Sequence, residues 1–112
     1  MSKYDLEQRT LFFAQNVRDY VKKISSIELN SVYKNQLLRS SSSVGANYRE
    51  ANEASTKKEF KYRISVCRKE AKETHYWLQL LEYQPADAAY KSSLENEARE
   101  LVCIFSSILK KA

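Results

Sequence analysis

Side chains capable of chemistry are few in this sequence, and their spacing assembles no reaction. The one histidine, His75, stands beside Tyr76 and Trp77 with no acid fixed near it by spacing, so it reads as structural rather than as a general base. Glu50 and Glu53 lie three residues apart, and Glu70 and Glu73 repeat the interval, which sets each pair on one face of a helix. Carboxylate-bridged metal bundles draw a Glu-x-x-His motif from two helices, and the sequence has none. Cys67 and Cys103 are 36 residues apart, with no CxxC and no companion histidine, so zinc has no ligand set and both read as small reduced thiols. Ser40–Ser43 offers four hydroxyls in a row without a base at hydrogen-bonding spacing. The neighbouring Gly45, alone, cannot make the repeated backbone approaches of a phosphate loop. The expectation is no catalytic residue, no metal, no cofactor, and a protein that is not an enzyme.

What remains is charge and shape. The 112 residues carry 19 Lys and Arg against 14 Asp and Glu, a net charge of +5 and a pI near 9.2. That balance invites a phosphate-bearing partner, or it serves solubility alone; composition does not choose between them. One Gly and one Pro exclude sheet and turn arrays, which need both residues often. An apolar share of 43% and a charged share of 29% fit one ordinary globular domain. No apolar run approaches the ~20 residues of a bilayer span. The opening MSKYDLEQRTLFF does not read as a secretory signal, so a cytoplasmic protein with no membrane partner is expected.

Apolar periodicity predicts four helices, at about 4–24, 31–54, 57–83 and 86–110, forming one all-α antiparallel up-down bundle. Leu6, Phe13, Val17, Tyr20 and Ile24 mark the first stripe, with Ala14 and Val21 widening it. After a polar break over Ser25–Ser31, the second stripe is Tyr33, Leu37, Ser41, Val44, Tyr48 and Ala51. Its centre, Ser40 to Ala46, has small residues where bulky ones would ordinarily stand. The block is either a loop between two short helices or a place of close helix approach. The stripe keeps its phase across it, which favours close packing. Thr56 and Glu59 form a capping box that starts the third helix, whose stripe is Phe60, Ile64, Cys67, Ala71, Thr74, Leu78 and Leu81. Pro85 suits the first turn of the fourth helix, with Tyr90, Leu94, Ala98, Leu101, Phe105 and Ile108 inward and Lys110 and Lys111 at its C-terminal dipole end.

On a helical wheel of the third helix, Lys57, Lys61, Arg68 and Lys72 cluster within about 60°, with Lys58 and Lys69 on the same flank. Glu59, Glu70 and Glu73 fall on the opposite flank. This is a candidate phosphate-binding stripe; the alternative is a solvated face. Trp77 lies off the core stripe, as do Val66, Tyr62, Leu80, Phe12 and Ile104. Second apolar strips of this kind point to a homo-oligomer.

The segment Val44-Gly-Ala-Asn-Tyr-Arg-Glu-Ala51, with Lys58-Glu-Phe60 and Lys69-Glu-Ala-Lys-Glu-Thr-His-Tyr-Trp-Leu78, resembles the small bacterial four helix bundle protein family. Its members are also called proteins encoded in large-subunit ribosomal RNA intervening sequences. The accessory variability determinant of diversity-generating retroelements is similar. The likeness is specific over about Leu37–Leu81, with further similarity at Arg9–Thr10 and Phe13–Ala14; Cys67–Arg68 departs from it. The resemblance implies an up-down protomer that assembles into a ring, a homopentamer, with no established enzymatic chemistry. The retroelement members work with a reverse transcriptase and nucleic acid. Within the shared segment, Gly45 and Ala46 are expected to permit close helix approach. Asn47, Arg49 and Glu50 point to different sides and suit polar pairing between helices or subunits.

The expectation is a non-enzymatic, homo-oligomeric scaffold or adaptor that holds RNA or DNA, with a protein partner such as a reverse transcriptase. Phosphate contacts fall to Lys57, Lys61, Arg68 and Lys72, then Lys58 and Lys69. Gly45, Asn47, Arg49, Glu50 and Trp77 are the candidate packing or interface residues. The competing reading is a structural or protein-interaction oligomer with no nucleic-acid role.

Overall fold

Ser2 begins the first helix. Its hydroxyl accepts the Asp5 amide at 3.1 Å while the Asp5 carboxylate accepts the Ser2 amide at 3.3 Å, a reciprocal cap that satisfies two orphan donors. The computed structural model describes residues 2–24 and 28–112. Its helices are α1 (Lys3–Lys23), α2 (Glu28–Asn52), α3 (Lys57–Leu80) and α4 (Ala88–Lys111), in a bundle of about 45 × 23 × 19 Å. Among the described residues there is no strand. The expected break over Ser25–Ser31 lies partly outside the described residues, and α2 starts before Ser31.

The other boundaries differ from the sequence reading for local reasons. Thr56 caps α3, accepting the Glu59 amide at 3.1 Å, but the Glu59 carboxylate reaches the Ser55 amide at 3.2 Å rather than that of Thr56. Leu81 turns to extended backbone and buries its side chain in the core, so α3 ends at Leu80 and not at Tyr83. Pro85 opens a single 3-10 turn, Pro85–Asp87, in which the Asp87 amide donates to the Gln84 carbonyl at 2.9 Å; α4 proper begins one residue later.

The expected stripes meet in one core. Phe13, Val17, Tyr20, Leu37, Val44, Ile64, Cys67, Leu78, Leu101 and Phe105 are fully buried. α2 packs most extensively on α3, and α3 on α4, whereas α1 meets α4 only sparsely. The serine block is continuous helix, not a loop. Its hydroxyls bond within their own helix: Ser42 donates to the Leu38 carbonyl at 2.8 Å, and Ser43 accepts from the Asn47 side-chain amide at 2.9 Å.

Small side chains here let the neighbouring helices come close. Gly45 of α2 faces Thr10 of α1: a Cβ built on the glycine would stand 3.0 Å from Thr10 Oγ1 and 3.3 Å from Thr10 Cβ. On the α3 side, the Cys67 thiol points at the Val44 carbonyl at 3.4 Å, and the Ser40 and Thr74 hydroxyls lie 2.9 Å apart in the buried interior. Burial pushes the Cys67 thiol up to about 12, so it stays a protonated, inert filler. Thr10 is itself fixed, its hydroxyl shared between the Leu6 and Glu7 carbonyls at 2.9 and 3.0 Å.

The Gly45–Thr10 approach makes a testable demand. Gly45→Val should lower stability by about 1–3 kcal/mol through overpacking. Adding Thr10→Ala should recover part of that loss, read as urea midpoints in a double-mutant cycle; strictly additive losses would show that the two residues do not share the contact.

Candidate nucleic-acid interface

The charges of α3 are sorted by what they touch. Lys57, Lys58, Lys61, Lys69 and Lys72 are all exposed, and none lies within ion-pair distance of a carboxylate among the described residues. The α3 carboxylates, by contrast, are engaged. Glu59 closes the N-terminal cap. Glu70, with its side chain 6% exposed, accepts from Arg39 Nη1 of α2 at 2.8 Å. Glu73 pairs with Arg39 Nη2 and accepts the Trp77 indole N–H at 3.0 Å. One arginine from the adjacent helix therefore neutralises two acids on the flank away from the lysines, leaving the outer face of α3 positive.

Sequence reasoning placed the lysines together but missed Arg39. Its position on α2 carries no signal, because the pairing depends on the register between two helices. Arg68 also sits differently from its lysine neighbours: it is half-buried, and its Nε is buried without a hydrogen-bond partner among the described residues. It borders the packed side of the helix, and the free cationic face is made by the lysines.

The candidate packing residues divide. Gly45 meets α1 as described. Asn47 sits in the α2–α3 seam, where its Oδ1 accepts Arg63 Nη1 at 2.9 Å and its amide donates to the Ser43 carbonyl at 2.9 Å. Arg49 and Glu50 are exposed with no ion pair among the described residues. Trp77 is half-buried against the core and stacks on Tyr33 with ring centres 6.0 Å apart. Ile104 and Val66 are half-buried, and Ala46 is exposed. Phe12, in contrast, is 56% exposed. It lines a groove of about 670 Å³ between α1 and α4, whose floor includes Phe13 and Leu94.

Across that groove the two helices are tied by Arg9, which donates twice to the Glu97 carboxylate at 2.7 Å and approaches Glu100 at 3.4 Å. The Glu97 carboxylate raises the Arg9 pKa above its ordinary value. Tyr90 adds a hydrogen bond to the Asn16 carbonyl at 3.1 Å. Sequence spacing gave no hint of these ties.

No group of three or more His, Cys, Asp or Glu could hold a metal ion among the described residues. No helix among them is long and apolar enough to cross a membrane. His75 feels the charges of Arg99, Glu95 and Lys91 of α4, the last two paired at 3.0 Å, and its Nε2 is buried with no hydrogen-bond partner among the described residues. Burial and the Arg99 charge hold its pKa below the ordinary 6.5, outweighing Glu95.

The class this fold and face define is a small up-down helical bundle with a sorted, positively charged outer helix. The chain belongs to the 23S rRNA-intervening sequence protein family, whose model matches residues 2–107. It is also similar to a solved structure from Bacteroides thetaiotaomicron VPI-5482, described as a protein with unknown function from the S23 ribosomal protein family. The two share 34% identity over 93% of this chain and 97% of the other, with a TM-score of 0.82. No curated protein matches the chain.

The His75 environment sets a pH dependence. Between its lowered folded value and 6.5 the unfolded chain binds a proton there that the folded chain does not, so stability falls as pH drops through that window. The urea midpoint of His75→Gln should therefore change less than that of the wild type between about pH 7.5 and about pH 5.5. Equal changes in both proteins would remove His75 as the source.

Proposed function

We propose that this protein is a non-enzymatic, self-assembling helical scaffold that holds nucleic acid on the outer face of α3. The observation that carries the reading is the asymmetry of that helix: five exposed lysines lack acidic partners among the described residues, whereas Glu70 and Glu73 are taken up by Arg39. Charges serving solubility alone have no need of such sorting. A phosphate backbone does, because every carboxylate near it costs affinity. Membership of a family named for ribosomal RNA intervening sequences is in keeping with a nucleic-acid setting.

The test is binding of nuclease-treated protein to a labelled DNA duplex and a structured RNA, by anisotropy across a salt series. Log affinity for the duplex should fall with log salt at a slope of about −4.5, since five lysine–phosphate contacts contribute about −0.9 each. Lys58→Glu, Lys69→Glu and Lys72→Glu together should weaken binding at least about tenfold and flatten the slope. Absence of binding even at low salt would reduce the positive charge to a solubility feature.

Self-assembly is supported by a separate observation, the exposed Phe12 on the sparsely packed α1–α4 seam. Arg49 and Glu50 are exposed and available for polar contacts between subunits. Light scattering should give a mass that is a multiple of 13.1 kDa, and Phe12→Ser should lower it with helix content unchanged. A wild-type mass equal to one chain would reject the oligomer.

A further inference from the structure

The residues Lys58, Tyr62, Ser65, Lys69, Lys72 and Tyr76 follow one another at alternating intervals of four and three along α3, and all six are exposed. That interval draws a single line down the helix, ~27 Å from Lys58 to Tyr76 at 1.5 Å per residue. Two large aromatic rings therefore share one outward line with three lysines that have no ion pair among the described residues. Tyr62 is 61% exposed and Tyr76 is 55% exposed. From this line we infer that the ligand of the α3 face is a single-stranded polynucleotide, its bases stacked on Tyr62 and Tyr76 and its phosphates against Lys58, Lys69 and Lys72. The inference rests on the nucleic-acid reading above and adds the strandedness of the ligand.

Three features support a single strand over the other occupants. A duplex keeps its bases stacked inward, so it gains nothing from an exposed ring face, whereas every unpaired base has a π-face to offer. A protein partner would favour apolar neighbours around the rings, but lysine, which protein interfaces deplete, fills half of this line. The rings are also braced from one side. Tyr76 meets Trp77 edge-on at 5.2 Å, Trp77 stacks on Tyr33 at 6.0 Å, and the indole is anchored to Glu73 at 3.0 Å. The Arg63 guanidinium lies 5.7 Å from the Tyr62 ring centre, a cation–π contact that helps hold that ring in place. Bracing before binding lowers the ordering cost when a base arrives. The tyrosines are 14 residues apart, ~21 Å along the axis, which leaves room for several nucleotides between them.

The test compares labelled oligo(dT) and oligo(U) with a DNA duplex of equal length at one low salt concentration. Both single strands should bind more tightly than the duplex. Tyr62→Ala and Tyr76→Ala should each weaken single-strand binding about 5- to 150-fold, the range for losing one stacked base, and leave duplex affinity and the salt slope unchanged. The double Tyr→Phe variant, which keeps both rings, should bind like the wild type. Single-strand binding should also quench Trp77, which touches the Tyr76 ring. Equal affinity for strand and duplex, with the alanine variants unaffected, would overturn the stacking inference and leave the electrostatic reading standing. Failure of strand and duplex alike to bind would overturn both.

Discussion

The close approach of α2 to its two neighbours is the constraint on which the rest of the bundle depends. A helix whose centre reads Ser-Ser-Ser-Ser-Val-Gly-Ala gives up bulk and propensity, and gains only if other backbones come near enough to use the space. Thr10 of α1 comes near at Gly45, and Cys67 and Thr74 of α3 come near at Val44 and Ser40. The Thr10, Ser40 and Thr74 hydroxyls drawn into this interior are hydrogen-bonded, so proximity does not leave them orphaned. Bulkier residues on α1 and α3 then fill what the small ones leave.

Fixing α2 against α3 also fixes the electrostatics. The register that brings Ser40 to Thr74 brings Arg39, one residue earlier, to Glu70 and Glu73. Packing and charge sorting are thus two results of one alignment. Glu70 is nearly buried, so its charge requires a partner; Arg39 is half-exposed, so part of that interaction is screened by solvent. The consequence at the surface is a helix whose acids are occupied and whose lysines have no ion pair among the described residues, flanked by tyrosines held from behind.

The opposite side of the molecule follows a different logic. α1 and α4 close the bundle through Arg9, Glu97 and Tyr90 rather than through broad apolar packing, and Phe12 stays outside. A seam tied by polar contacts and edged by an exposed ring leaves apolar surface uncovered, the surface the proposed assembly would use. Cationic helix and open seam lie on separate elements, so the proposed assembly and the proposed ligand binding need not compete.

Most of the fold was legible in the sequence because burial imposes a period. The stripes from Leu6 to Ile24, Tyr33 to Ala51, Phe60 to Leu81 and Tyr90 to Ile108 can be satisfied only by helices facing one core. The continuity of α2 through its serines was legible for the same reason, since the phase from Leu37 to Tyr48 is unbroken. Helix ends were less so: the Glu59 carboxylate found Ser55, and the first turn after Pro85 wound as 3-10, outcomes set by backbone geometry over a few residues. Of the site, the lysine cluster was visible because neighbours on a wheel share one helix. Arg39 on the acidic flank, the withdrawal of Arg68, the Arg63–Asn47 link and the Arg9 clamp were not, because each needs the rotation and register of one helix against another. Sequence by itself determined which residues go inward, since hydrophobic burial acts on each helix separately. Tertiary structure decided which charges are cancelled and which stay free, since that depends on what the neighbouring helix brings within hydrogen-bond reach.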